Sequence, residues 1–240
     1  MNSVTKKWNW ENSIATSKLT RLQEVTLTTL LANMPKIFFG TSFRRLLYPP
    51  IFSQFGRAID IEPDVKFYGT ANIEIGDRVK LNSGVRLNAL GDKNNRISIG
   101  SGTTLERGVD LGTLENSSIV IGENTYIGLY TCITGYGNIK IGKKCLIAAH
   151  CGIYGNGHIF ADSQLAIADQ EVTKKGITIE DDCWLGHGVT VIDGITIARG
   201  SVIGAGAVVT RNIPPYSIAV GVPARVIAQR HTAGNNREQG

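Results

Sequence analysis

From residue 75 onward the apolar positions of this chain recur every six residues. Each unit opens on an aliphatic residue, continues with Gly, Ala or an acid, and places a small or β-branched residue fifth. Clean examples are Ile75-Gly76-Asp77-Arg78-Val79-Lys80, Ile121-Gly122-Glu123-Asn124-Thr125-Tyr126 and Ile203-Gly204-Ala205-Gly206-Ala207-Val208. About a dozen such units fit. A fixed short period of this kind predicts a solenoid, in which each coil buries its aliphatic residues only by stacking on its neighbours. Six residues make one flat side, three sides close one coil, and strands of successive coils pair in parallel and in register. Val, Ile, Thr and Leu suit such a pleated surface, while Gly, Asp and Asn suit its corners.

The departures from strict period locate the functional face. With Ile75, Ile99, Ile121, Ile141, Ile179 and Ile197 as coil starts, the spacings are 24, 22, 20, 38 and 18 residues. Eighteen is three hexads. In each longer coil the first two hexads are intact and the extra residues fall in the third, at 91–95, 114–117, 135–138 and 155–176. All should therefore emerge along one edge of the prism, and insertions stacked on one face of a solenoid often mark its binding face.

The ends follow other patterns. Residues 14–34 carry Leu19, Leu22, Val25, Leu27, Leu30 and Leu31 at helical spacing, with Ser13 or Thr16 as candidate caps. A second apolar stretch, 38–55, is interrupted by Pro49-Pro50. One or two helices shielding the open edge of the first coil are predicted. The expected organisation is a helical cap over 1–60, a parallel β-helix over 61–230 and a flexible tail over 231–240.

Composition sharpens this picture in three ways. The 28 glycines against seven prolines indicate regular tight turns rather than a disordered tract. The net charge of +5 is concentrated at one end: residues 1–60 hold eight Lys and Arg against Glu11, Glu24 and Asp60. That basic arm reads either as a solvated helical face or as a surface for acidic partners. One such use is peripheral membrane contact through residues 14–56, with Lys36, Arg44 and Arg45 beside anionic headgroups. Finally, Met1–Asn12 is polar with no apolar core behind it, and no segment reaches the roughly 20 apolar residues a spanning helix needs. A cytoplasmic location, possible contact with the inner membrane face included, is the expectation. Of the four cysteines, Cys145, Cys151 and Cys183 fall at inward positions and Cys132 lies beside inward Thr131. They read as packing residues, not as ligands or disulfides.

Several segments carry a family resemblance: His158-Ile159-Phe160-Ala161-Asp162, Asp182-Cys183-Trp184-Leu185-Gly186, Ile203 to Thr210, Pro214-Pro215-Tyr216 and Gly221-Val222-Pro223-Ala224-Arg225. In these the chain resembles the hexapeptide-repeat O-acetyltransferases of the maltose, galactoside and polysaccharide type, over residues 61–230 and most specifically 177–227. The resemblance implies an all-β solenoid, a left-handed parallel β-helix with an N-terminal α-helical cap. It also implies a homotrimer with sites between subunits, and acetyl-CoA as co-substrate without a metal. The reaction implied is transfer of an acetyl group to a hydroxyl of a sugar, and the basic, apolar N-terminal arm points to surface-polysaccharide or lipid-linked glycan synthesis as its setting. A sugar or glycan acceptor, not nucleic acid, is the partner.

Carried over residue by residue, His158 matches the family's catalytic histidine. A sugar hydroxyl is a weak nucleophile near neutral pH, and a neutral imidazole can take its proton as it attacks a thioester. Position supports this independently, because His158 lies in the longest insertion. Asp162 is a candidate to orient it. Trp184, Gly186, His187, Ala205 and Thr210 match positions along the CoA arm, the His187 amide being a candidate oxyanion donor. Arg211 and Arg225 match basic positions for CoA phosphates. His187 departs from the Ser, Ala or Gly usual there. His150 reads as a surface turn residue and His231 as part of the tail.

Other readings remain open on the sequence. They are an amino-sugar or antibiotic acetyltransferase, a user of acyl carrier protein and a non-catalytic sugar-binding β-helix. A zinc enzyme on the same scaffold needs convergent imidazoles, and the spacing of His150, His158 and His187 shows no tight pair.

Overall fold

The computed structural model describes residues 18–230. The tail 231–240, with His231, and the candidate caps Ser13 and Thr16 lie outside the described residues. From Gln54 the chain winds as a three-faced solenoid whose faces carry seven, nine and seven strands. Every pairing within these faces is parallel except the last, where Ser217–Val220 and Arg225–Gln229 run antiparallel.

The register matches the spacing argument. Ile75 pairs with Ile99, Ile99 with Ile121, Ile121 with Ile141, Ile141 with Ile179 and Ile179 with Ile197. One further coil precedes these, with Phe55 set against Ile75. Because a one-residue slip would turn every inward side chain to water, the isoleucine column fixes the whole stack. Its members are at most 2% exposed.

A second column explains the short polar residues inside. Thr103 Oγ1 donates to Gly122 O (2.9 Å), Thr125 Oγ1 to Gly142 O (2.8 Å), and Cys145 Sγ to Glu180 O (3.1 Å). Cys183 Sγ continues to Ala198 O (3.3 Å) and Ser201 Oγ to Pro214 O (2.8 Å). Each small side chain thus satisfies a carbonyl of the next coil, which an aliphatic side chain cannot do. The buried thiols are donors as well as fillers. Cys132 alone among the four is only half-buried, and burial, then the Asp110 carboxylate, push its thiol up. Labelling of the native protein with an aromatic disulfide is therefore expected to modify no more than one thiol per chain, Cys132, and all four after unfolding. Rapid native modification of two or more would contradict this packing.

The cap consists of α1 (Lys18–Ala32) and α2 (Gly40–Leu47). Tyr48, Phe52 and Phe67 form an aromatic plug over the first coil, with edge-on contacts of Phe67 to Tyr48 at 5.8 Å and to Phe52 at 5.0 Å. Glu24 of α1, buried, accepts from Gly69 N at 2.8 Å. Arg44 is 1% exposed. Its guanidinium donates to Leu31 O, Ala32 O and Met34 O, at and just beyond the end of α1, and to Ile61 O of the first coil. Carbonyls at a helix C-terminus lack intrahelical partners, and here Arg44 supplies them together with Asp64 N, which donates to Ala32 O, and Met34 N, which donates to Leu31 O. This corrects the expectation that Arg44 faces lipid headgroups, since its donors are spent inside the cap.

Candidate active site

The four insertions do share one edge, the corner between the third face and the first. The largest leaves the stack after Gly152–Tyr154 and returns at Ile177–Ile179. At its root Gly157–His158 pairs antiparallel with Val172–Thr173, His158 opposite Val172. Thr173 Oγ1 adds a bond to Gly157 O at 3.3 Å. The returning end is held by Asp193, whose carboxylate accepts from Lys175 N (3.0 Å) and Gly176 N (2.7 Å). His158 is thus on a braced hairpin base with its side chain exposed.

Asp162 sits differently from the role considered for it. Its Oδ1 accepts from Gln164 N at 2.8 Å, and its main chain is clamped by Gln170. A short carboxylate closing its own turn is a common local solution. Among the described residues no hydrogen bond joins it to His158.

The remaining matched residues divide between two places. Thr210 and Arg211 follow the third-face strand Val208–Val209 and so lie on the His158 edge, two coils on. Trp184, half-exposed, pairs with Leu146 and Val202 on the second face. Gly186, His187 and Ala205 occupy the next corner, between the second and third faces. Within one chain the structure therefore does not bring His158 together with Trp184 and His187. Arg225 pairs with Val220 in the closing antiparallel strands and donates to Ala224 O.

The corner at 186–188 has the features of a backbone cradle. Gly186 N donates to Ile203 O and Gly188 N to Ala149 O, while Gly206 N reaches His187 O at 2.7 Å. The amide of His187 between them has no partner among the described residues, and neither has that of Ala205. An outward amide at an exposed corner can receive an oxyanion. A side chain on Gly186 is excluded: its Cβ would stand 2.6 Å from Ala205 N. Gly186→Ala is expected to spread coils six and seven apart, at a cost of about 1–3 kcal/mol. A variant with an unchanged urea midpoint would refute the tight contact.

Sequence reasoning missed the neighbours of His187. The His150 ring stacks on Tyr130 (5.4 Å, 24° between planes) and meets His187 edge-on at 5.3 Å. His150 is therefore part of a ring column on the 186–188 corner, beyond the surface-turn reading. Tyr130 and His150 both take left-handed corner geometry, with φ of 55° and 59°. Their separation of 20 residues equals the coil spacing from Ile121 to Ile141, which was the available signal. The absence of a tight histidine pair is likewise corrected, because His150 and His187 touch. Among the described residues there is nonetheless no cluster of three or more His, Cys, Asp or Glu able to hold a metal.

Comparison with known proteins agrees with this architecture. Residues 176–211 match the model described as bacterial transferase hexapeptide (six repeats), and 118–154 the hexapeptide repeat of succinyl-transferase. The galactoside O-acetyltransferase of Escherichia coli is 37% identical over 119 residues, which cover 47% of this chain and 55% of that enzyme. The chain spans about half the length of the curated relatives it matches. Among solved structures, the polySia-specific acetyltransferase NeuO aligns with a TM-score of 0.59 at 25% identity, covering 75% of this chain and 82% of NeuO. AntD, an N-acyltransferase from Bacillus cereus, shares the fold at a TM-score of 0.53 and 19% identity, with 75% of this chain and 86% of AntD covered. Residues 118–154 and 176–211 thus match hexapeptide repeats of transferase type, and the chain shares its fold with acyltransferases.

Proposed function

We propose that the protein transfers an acetyl group from acetyl-CoA to a hydroxyl of a sugar, within surface-polysaccharide or lipid-linked glycan synthesis. His158 is the general base: its imidazole takes the hydroxyl proton as the sugar oxygen attacks the thioester carbonyl carbon. The carbonyl oxygen gains the negative charge, which the His187 amide meets. Collapse of the tetrahedral adduct breaks the carbon–sulfur bond, and the imidazolium returns its proton to the leaving CoA thiolate. The products are the acetyl ester and free CoA.

The position of His158 carries this reading: a solvent-open imidazole on a braced strand pair, at the edge where all four insertions gather. The Gly186–Ala205 corner supports a pantetheine path because the amides of His187 and Ala205 have no partner among the described residues and Gly186 adds no side chain between the coils. Trp184 flanks that path, and Thr210, Arg211 and Arg225 are the matched positions toward the phosphate end. Since His158 and His187 lie on different edges of one column, a complete site needs adjacent copies, and a homotrimer of three-sided columns supplies three equivalent clefts. Asp162 acts by fixing the hairpin that carries His158.

The deciding experiment incubates the protein with acetyl-CoA and a panel of mono- and oligosaccharides, reading thiol release and acceptor mass. A gain of one acetyl group on a hydroxyl with stoichiometric CoA is expected. Absence of both acetyl-CoA binding and turnover would leave a sugar-binding column and remove the proposal.

A further inference from the structure

The helix α2 is inside out for a soluble protein. Gly40, Arg44 and Tyr48, spaced i, i+4, i+8, are its buried side, so the charged residue points in. The adjoining side presents Phe43, Leu46 and Leu47, with Phe39 at the N-cap, and all are exposed. Ordinary amphipathic packing places these the other way round. In the turn before α2, Ile37 is 82% and Phe38 66% exposed, and Leu30 of α1 is 70% exposed.

Two further observations show that this face is built. Phe39 is held at φ 61°, a conformation that a bulky residue adopts only under constraint. The constraint is visible: Phe38 N and Gly40 N both donate to Pro35 O, and Phe43 N donates to Phe39 O. A Cβ at Gly40 would lie 2.3 Å from Met34 O, so the turn closes only with glycine there. The charge is equally one-sided. From residue 25 to 59 the sequence contains Lys36, Arg44, Arg45 and Arg57 and no Asp or Glu. With Arg44 spent inside the cap, Arg45 and Arg57 remain exposed.

We infer that the cap docks on an anionic phospholipid surface, with Ile37, Phe38, Phe39, Phe43 and Leu46 entering the headgroup boundary and the exposed guanidinium of Arg45, whose Nε donates to Ile59 O, turning its remaining donors to the lipid phosphates. An exposed apolar stripe in a stretch of chain whose only charged residues are cations is the chemistry of interfacial binding. A second copy fits less well, because a self-complementary contact sets like charges against each other. The N-terminal segment 1–17 fits less well for the same reason, since it carries Lys6 and Lys7 against Glu11 alone. No described helix is long and apolar enough to cross a membrane, so the contact is one of lying on the surface. The inference stands apart from acyl transfer and is tested without it.

The full chain is mixed with vesicles of phosphatidylcholine alone or phosphatidylcholine with phosphatidylglycerol and separated by flotation. The wild type is expected to float with the anionic vesicles only, and to do so less as NaCl is raised. Two variants are compared: Phe38→Ser with Leu46→Ser, and Phe39→Gly. Both should lose at least about tenfold in vesicle partitioning. Phe39→Gly should keep or raise the unfolding midpoint, because glycine relieves the left-handed backbone. That combination separates lost docking from lost folding. The inference is overturned if the wild type ignores anionic vesicles, or if Phe39→Gly partitions as the wild type does. It is also overturned if the serine variant changes the sedimentation mass rather than the partitioning, which would make the face an interface between copies.

Discussion

His158→Ala is expected to lower acetyl transfer at least about 100-fold while leaving acetyl-CoA affinity within about twofold, the range general-base catalysis supplies. The side chain is exposed and its strand pairing uses main-chain atoms only, so alanine keeps the hairpin and removes the proposed proton acceptor. A fall in kcat with KM for acetyl-CoA unchanged distinguishes loss of the base from loss of the thioester cleft. His187→Ala provides the internal contrast. Its proposed contribution is the amide, which alanine retains, so its kcat should fall far less than that of His158→Ala. Full turnover by His158→Ala, or equal losses in the two variants, would remove the assignment.

Arg44→Met is expected to be the most damaging change outside the solenoid core. Methionine keeps much of the stem and deletes every donor, leaving the carbonyls of Leu31, Ala32, Met34 and Ile61 without the partner they share. A loss of about 3 kcal/mol or more is expected, because buried acceptors deprived of a charged donor lose more than an average hydrogen bond. Lysine is a poor substitute, since one ammonium cannot span carbonyls on two elements as a planar guanidinium does. The measurement is the urea midpoint together with limited proteolysis, and cleavage within 18–50 should precede damage to the coils. A wild-type midpoint for Arg44→Met would show that the main-chain donors Asp64 N and Met34 N, with water, suffice for those carbonyls.

The two residues illustrate what the sequence can and cannot express. The coil register was readable because inward residues repeat at a fixed offset, and the same offset put every insertion on one edge. The coil beginning at Gln54 was harder to see: Phe55 and Phe67 stand where later coils use Ile, Leu or Val, matched to the aromatic plug above them. Arg44 looked like one more cation of a basic arm, because charge carries no information on direction until the helix is packed. Asp162 likewise shows only its residue type in sequence, and its turn decides that the carboxylate bonds Gln164 N. The contact between His150 and His187 was hidden by the 155–176 insertion, which makes vertical neighbours distant in number.

Because each hydroxyl or thiol from Thr103 to Ser201 hands its hydrogen upward, successive coils meet through the same kind of joint. Coils are therefore interchangeable storeys. Excision of one 18-residue storey, such as that between Ile179 and Ile197, rejoins matching surfaces, whereas removal of an odd number of residues turns the interior outward. A column built this way can lengthen or shorten only by whole storeys, about one strand spacing of 4.8 Å at a time.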